Sequence, residues 1–144
     1  MPDMSASSFP PYSVLMSVYA GERATFLEES LASLMAQTVT PQEIVLVEDG
    51  PLTPELDASI TRFDMSHPGL LTVVSYPENR GLGFALGYGL RVCHNEIVAR
   101  MDTDDYAFPT RMEEQLRVMQ EHDLDMVGSQ IIEFIKDPRT PVAT

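Results

Sequence analysis

The chain has 144 residues, the length of one domain, and 44% of them are hydrophobic, enough to bury a core. Its 22 acidic residues against 9 Lys and Arg give a formal net charge of −13. That balance argues against a nucleic-acid backbone as partner and against electrostatic attachment of this segment to anionic lipid, since both need a basic face. An anionic ligand would need a metal ion or backbone N–H groups to offset the repulsion. Cys93 is the only cysteine, so no intrachain disulfide forms and a reducing compartment is the default. It falls on the apolar side of a predicted helix and reads as a small buried hydrophobe. The opening MPDMSASSFPP lacks the basic and apolar regions of a signal peptide. No apolar run approaches the roughly 18 residues of a membrane span.

In chain order, residues 1–11 are polar and proline-rich and read as a loose tail. YSVLMSVYA, from Tyr12 to Ala20, reads as a buried strand that Gly21 ends. From Thr25 to Gln37 the spacing of Leu27, Leu31 and Leu34 makes one apolar helical stripe. EIVLVE, Glu43 to Glu48, is a second strand running into the turn signal Asp49-Gly50. Thr53-Pro54-Glu55 has the order of an N-cap, a first helical residue and an early acid, and Leu56, Ile60 and Phe63 repeat the stripe. LLTVVSY, Leu70 to Tyr76, is a third strand. A loop over 77–83 leads to a helix from Phe84 to His94, with Leu86, Leu90 and Cys93 expected inward. A fourth strand opens at Ile97 and Val98. A fourth helix runs from Pro109 to His122, with Met112, Leu116 and Met119 inward, and a fifth strand from Asp125 to Ile135. The stripes and methionines are assigned to core. Residues 12–135 then form one domain, and 136–144 an extended polar tail. Four alternations of strand and helix imply right-handed βαβ crossovers: a three-layer α/β/α fold with a mostly parallel sheet.

The residues best suited to chemistry stand in EIVARMDTDDYAFPTR, from Glu96 to Arg111. Asp102, Asp104 and Asp105 crowd the carboxyl end of the fourth strand, where open α/β sheets bind ligands. Crowded carboxylates repel unless a cation or hydrogen-bond donors stand among them. Oxygen ligands suit Mg²⁺ or Mn²⁺, so the stretch reads as a metal–diphosphate site; the plainer reading is a solvated acidic loop capping the next helix. Ser17, Tyr19 and Gly21 follow the first strand, and Glu48 and Asp49 end the second, so one crevice joins all three groups. Tyr19 offers a flat face to a base and Asp49 an acceptor to a base N–H, although an Asp-Gly pair is by itself most often only a turn. GLGFALGYG, Gly81 to Gly89, imitates a dinucleotide fingerprint but follows the third strand instead of the first, with its third glycine one residue late. Gly81 and Gly83 read as a helix start or a close approach to ligand. Gly87 and Gly89 weaken a helix by roughly 1 kcal/mol each and fit close packing on the sheet or room for a ligand.

SVLMSVYAGE, EIVLVEDG, ENRGLGFALGYGL and IVARMDTDD followed by a proline and Arg111 together resemble glycosyltransferase family two, in order and over nearly the whole chain. The likeness is to bacterial exopolysaccharide and capsule enzymes. It implies a GT-A, Rossmann-like nucleotide-diphospho-sugar transferase fold, and inverting transfer of a sugar from a nucleotide-sugar, usually UDP-linked, to a saccharide or lipid-linked acceptor. It implies a nucleotide-sugar site drawn from Ser17, Tyr19, Glu22, Asp49, Arg80, Asp102 and Asp104, with Tyr19 beside the uracil and Asp49 at its N3–H. It puts Asp104 near the ribose or donor sugar and Asp105, with Asp104, on a Mn²⁺ or Mg²⁺ between the phosphates. Asp102 supports the sugar or orients the loop, and Arg80 and Arg111 meet phosphate or sugar. A cytoplasmic place, peripheral at the inner face of the membrane, follows from the same likeness.

Two departures stand out. Leu86-Gly87 replaces polar residues common in the family, so a donor contact is absent or supplied elsewhere. The family's acceptor half and its general base, an Asp or Glu, come later than Thr144, so the chain reads as a donor-binding half that makes no glycoside alone. The apolar stretch Val127, Ile131, Ile132, Phe134 and Ile135 suggests an exposed seam and a homodimer. Two other classes fit less well. A Mg²⁺-binding receiver-like module carries acids after the first strand and an Asp after the third, where this chain has Ser-Val-Tyr and Ser-Tyr-Pro. A DxDxT phosphatase needs Thr where Tyr106 stands.

Overall fold

A computed structural model describes residues 9–122 of the chain. The expected fifth strand, the tail over 136–144 and the proposed dimer seam lie outside the described residues. The elements alternate as β1 (Tyr12–Val18), α1 (Ala24–Met35), β2 (Glu43–Asp49), α2 (Pro54–Ser66), β3 (Leu71–Tyr76), α3 (Leu82–Leu90), β4 (Ile97–Arg100) and α4 (Arg111–His122). The four strands form one parallel sheet in the order β3-β2-β1-β4. The central pair, β1 and β2, is buried on both faces, which is why YSVLMSV and EIVLVED read as near-continuous apolar runs.

One face of the sheet carries most of the core. Val14, Met16 and Val18 of β1 and Ile44 and Leu46 of β2 meet Leu27, Leu31 and Leu34 of α1, Leu56 and Ile60 of α2, and Met112 and Leu116 of α4. The three predicted stripes thus face inward. Phe63 of the second stripe packs at the margin, and Met119 is half-buried. The start of α2 follows the expected chemistry: Thr53 Oγ1 accepts from Leu56 N at 3.2 Å, and Pro54 opens the helix. Of the opening segment, residues 1–8 lie outside the described residues. Phe9 packs against this core with the Arg117 guanidinium over its ring, because an aromatic side chain next to a strand buries area readily.

The other face is covered by α3, which seats Ala85 and Gly89 on Leu15, Val45 and Val47. A Cβ at Gly89 would overlap Leu15 Cδ1 and Val47 Cγ2, so the glycine is what lets the helix lie this close. The structure corrects the expected inward side of this helix. Leu86 and Cys93 pack at the margin, but Leu90 is 54% exposed. Seating on two small residues, Ala85 and Gly89, brings the helix backbone to the sheet and turns Leu90 outward. The helix also starts and ends earlier than its periodicity suggested. Gly81 is its N-cap, and the chain leaves it at Arg91 so that His94 can reach Glu43.

Candidate functional site

The carboxyl ends of β1, β2 and β4 open on a common cleft of about 540 Å³, lined among others by Ser17, Tyr19, Glu22, Asp49, Asp102, Thr103 and Asp104. Six of the eight residues singled out from the sequence therefore share it. Tyr19 is 53% exposed with its ring against Gly21, leaving a flat face open to a ligand. Glu22 is held at the rim, where its Oε2 accepts from Thr103 Oγ1 at 2.7 Å.

Asp49, 5% exposed, has its carboxylate well engaged. Oδ1 accepts from Tyr76 Oη at 2.7 Å and Arg80 N at 2.8 Å, and Oδ2 accepts from Gly81 N at 3.0 Å. Asn79 Nδ2 donates to its carbonyl. Gly50 completes this junction: its φ is +86°, and a Cβ there would stand 2.8 Å from Asn79 N. Asp49 thus knits the end of β2 to the loop before α3. Burial raises the Tyr76 hydroxyl well above its ordinary value, and the hydrogen bond to Asp49 adds to this. Arg80 lies at the same junction, but its guanidinium stacks over Phe84 at 5.0 Å and does not line the cleft.

The acid loop leaves β4, the outer of the described strands on the β1 side, with Met101 N donating to Leu15 O. Asp102, Asp104 and Asp105 each bring one carboxylate oxygen to within 4.8 Å of the others. Their surroundings differ. Asp104 is exposed and Asp102 half-buried, while Asp105 is 3% exposed. Asp105 Oδ2 accepts from Asp102 N at 3.0 Å, and Oδ1 is buried with no hydrogen-bond partner among the described residues. Burial, with a smaller push from the Asp102 and Asp104 charges, drives the Asp105 carboxyl up to about 7, against the pull of the Asp102 N–H and the Arg111 guanidinium. Arg111, 9% exposed, donates to Arg100 O at 3.2 Å, and its Nε is buried without a partner among the described residues. Burial lowers its pKa. Three clustered oxygen donors, one of them orphaned, fit a hard divalent cation, with Asp104 and Asp105 the residues that would hold it.

Sequence reasoning missed the residues that carry this loop. Ser30 Oγ donates to Asp102 O, Ser33 Oγ accepts from Ala107 N, and the Gln37 amide bonds Ala107, Phe108 and Met112. A signal was present, since Gln37 continues the stripe three residues past Leu34. A polar residue on an apolar stripe needs a buried partner. The departure at Leu86-Gly87 is also visible: Leu86 packs at the margin of the contact between α3 and the sheet, and Gly87 faces open space.

The profile of Glycosyl transferase family 2 matches residues 13–142. An uncharacterized glycosyltransferase of Haemophilus influenzae is 46% identical over 133 residues, covering 92% of this chain and 49% of that protein. The amylovoran biosynthesis glycosyltransferase AmsE of Erwinia amylovora is 44% identical, covering 85% and 46%. The Escherichia coli UDP-Gal:alpha-D-GlcNAc-diphosphoundecaprenol beta-1,3-galactosyltransferase is 35% identical, covering 90% and 46%. Among solved structures, the mannosyltransferase PcManGT of Pyrobaculum calidifontis, in complex with GDP-Man and Mn²⁺, superposes with a TM-score of 0.64 at 29% identity, over 79% of this chain and 33% of that one. The chain spans about half the length of the curated relatives it matches. Sheet order, acid cluster and family profile agree, and the receiver-like and phosphatase readings fall away: the chain belongs to glycosyltransferase family 2 and has its GT-A fold.

Proposed function

We propose that this chain is the donor- and metal-binding part of an inverting glycosyltransferase, which moves a sugar from a UDP-sugar to a growing polysaccharide or lipid-linked saccharide. The observation that carries the reading is the buried Asp105 Oδ1, without a partner among the described residues, grouped with Asp102 and Asp104, which line the cleft that also presents Tyr19. The relatives named for amylovoran biosynthesis and for a UDP-Gal donor support the exopolysaccharide and UDP assignments, and the Mn²⁺ complex of the mannosyltransferase supports the metal.

In this reading Tyr19 lies along the uracil, with Ser17 and Glu22 at the rim and Asp49 at the base N3–H, and Arg80, which stacks over Phe84 outside the cleft lining, turns in to meet phosphate or sugar when the donor binds. Asp104 and Asp105 hold Mn²⁺ or Mg²⁺, which when bound neutralises the charge developing on the leaving diphosphate. Asp102 orients the loop and the donor sugar. The acceptor hydroxyl attacks the anomeric carbon, the bond to the diphosphate breaks, and the hydroxyl proton passes to a general base. No helix among the described residues is long and apolar enough to cross a membrane. We place the reaction in the cytoplasm, at the inner face of the membrane for a lipid-linked acceptor.

Calorimetry tests the core of this proposal. UDP is expected to bind with Mn²⁺ present and far more weakly in EDTA, because a chain of net charge −13 repels diphosphate. Equal affinity in both conditions overturns the metal assignment. UDP-sugar is expected to bind this 144-residue chain in the same metal-dependent way, and transfer to an acceptor would place the general base within it.

A further inference from the structure

We propose that Gln37, at the end of α1 and outside the cleft, is a positioning residue that holds the acid loop in its cation-ready shape; this rests on the reading that the loop takes a divalent cation.

Gln37 is 5% exposed, and its amide is fully engaged. Nε2 donates to Phe108 O at 2.7 Å and is shared between Ala107 O and Ser33 O, each at 3.2 Å. Oε1 accepts from Met112 N at 3.0 Å, at the start of α4. Three carbonyls on one side and an N–H on the other fix which amide atom is which. Thr38 N, the next residue's amide, donates to Pro109 O at 2.8 Å. A single buried side chain thus ties the last turn of α1 to both the end of the acid loop and the first turn of α4.

The loop needs such a tie. Its upstream end is fixed to β1 through Met101 N and Leu15 O. Between the two anchors stand three carboxylates within 4.8 Å of one another. Their repulsion favours spreading the loop whenever no cation is present. Backbone anchored at both ends resists that spreading, and the cation meets donors already gathered. Side chains that orient metal ligands from behind typically change metal affinity by about 10–100-fold.

The test compares Gln37→Met, which keeps volume and loses every hydrogen bond, with Ile60→Ala, a core change on α2 away from the loop. Mn²⁺ affinity is measured by calorimetry on the full chain beside thermal unfolding, and hydrogen exchange is followed at Asp105 and Ala107. Gln37→Met is expected to weaken Mn²⁺ about tenfold or more and to speed exchange at both amides. Ile60→Ala is expected to lower the melting temperature and leave both readings near wild type. Should Gln37→Met not fold, Gln37→Glu, which keeps the acceptor and gives up the three donations, takes the same measurements. Wild-type Mn²⁺ affinity and exchange in a folded Gln37 variant overturn the inference, as does an equal loss of Mn²⁺ affinity in Ile60→Ala. If the wild-type chain itself binds no Mn²⁺, the metal assignment fails instead, and exchange alone decides whether Gln37 holds the loop.

Discussion

Two buried carboxylates stand at opposite ends of the sheet, and their surroundings differ. At the amino end, Glu43 Oε1 accepts from Ser13 Oγ at 2.7 Å and His94 N at 2.8 Å, and Oε2 accepts from His94 Nδ1. At the carboxyl end, Asp105 has one N–H on Oδ2 and nothing on Oδ1 among the described residues. Burial pushes both carboxyls up. At Glu43 the hydrogen bonds from His94 and Ser13 outweigh burial and hold it below the ordinary value, whereas Asp105 is left at about 7. The first carboxylate is complete and fastens β1, β2 and the turn before β4 together. The second keeps one oxygen without a partner among the described residues, the feature on which the proposed cation site rests.

The sharpest way to break this contrast is Asp105→Asn. In the proposed site it removes Mn²⁺ binding by at least about 100-fold, the upper end for a change around a metal and a floor for a ligand itself. Without metal the same substitution is expected to stabilise the fold, by roughly 2–4 kcal/mol at about pH 8, because an ionised carboxylate with only one of its oxygens partnered among the described residues no longer has to be buried. Urea unfolding in EDTA reads that gain. A destabilised variant that still binds Mn²⁺ would erase the distinction.

Asp49 lies between the two cases: engaged like Glu43, yet lining the cleft. Asp49→Ala is expected to weaken UDP binding by about 1.5–3 kcal/mol, the loss for a charged hydrogen bond, while leaving the Mn²⁺ dependence intact. Tyr76, Arg80 and Gly81 lose their acceptor together, so faster exchange at the Arg80 and Gly81 amides should accompany the loss. Glu43→Gln is expected to cost about 1–3 kcal/mol of stability, read by urea unfolding, and to leave Mn²⁺ and UDP affinities unchanged, since its partners lie at the far end of the sheet.

The contrast was only half legible in the sequence. The four strands, the helix that Thr53 and Pro54 start and the position of the acids follow from period and turn chemistry, because those signals are local. Glu43 looked like the first residue of a strand and nothing more. Its partners, Ser13 and His94, are 30 and 51 residues away. Gln37 was hidden for the same reason, with partners 70 or more residues distant. Asp105 stood out in the sequence only as one acid of a crowded loop. That it, and not Asp104, is the buried member depends on how the loop folds back so that Asp102 N reaches Asp105 Oδ2. Leu90 misled because its stripe ignored the small residues on which α3 seats.

The smallest expected effect is a pH dependence of opposite sign at the two ends. Glu43 has its carboxyl lowered in the fold, so its contribution is present above the unfolded value, about 4.3 for a glutamate, and is lost as pH falls through the lower folded value. Asp105 is raised, so its ionisation costs stability progressively as pH climbs from the ordinary aspartate value, about 3.9, to about 7. Unfolding free energies of the metal-free chain across this range should show both slopes. Glu43→Gln should flatten the acid limb alone, and Asp105→Asn the fall toward neutrality alone. Glu28 and Glu113 are also lowered, by hydrogen bonds from Ser59 and Arg62 and from Thr38 and Arg117 respectively, and they steepen the acid limb in every variant alike. The difference between variant and wild type therefore isolates each end. Saturating Mn²⁺ should reverse the Asp105 slope, because the cation competes with the proton for the same oxygens. A slope that Mn²⁺ leaves untouched would make Asp105 a buried acid with no ligand to complete it.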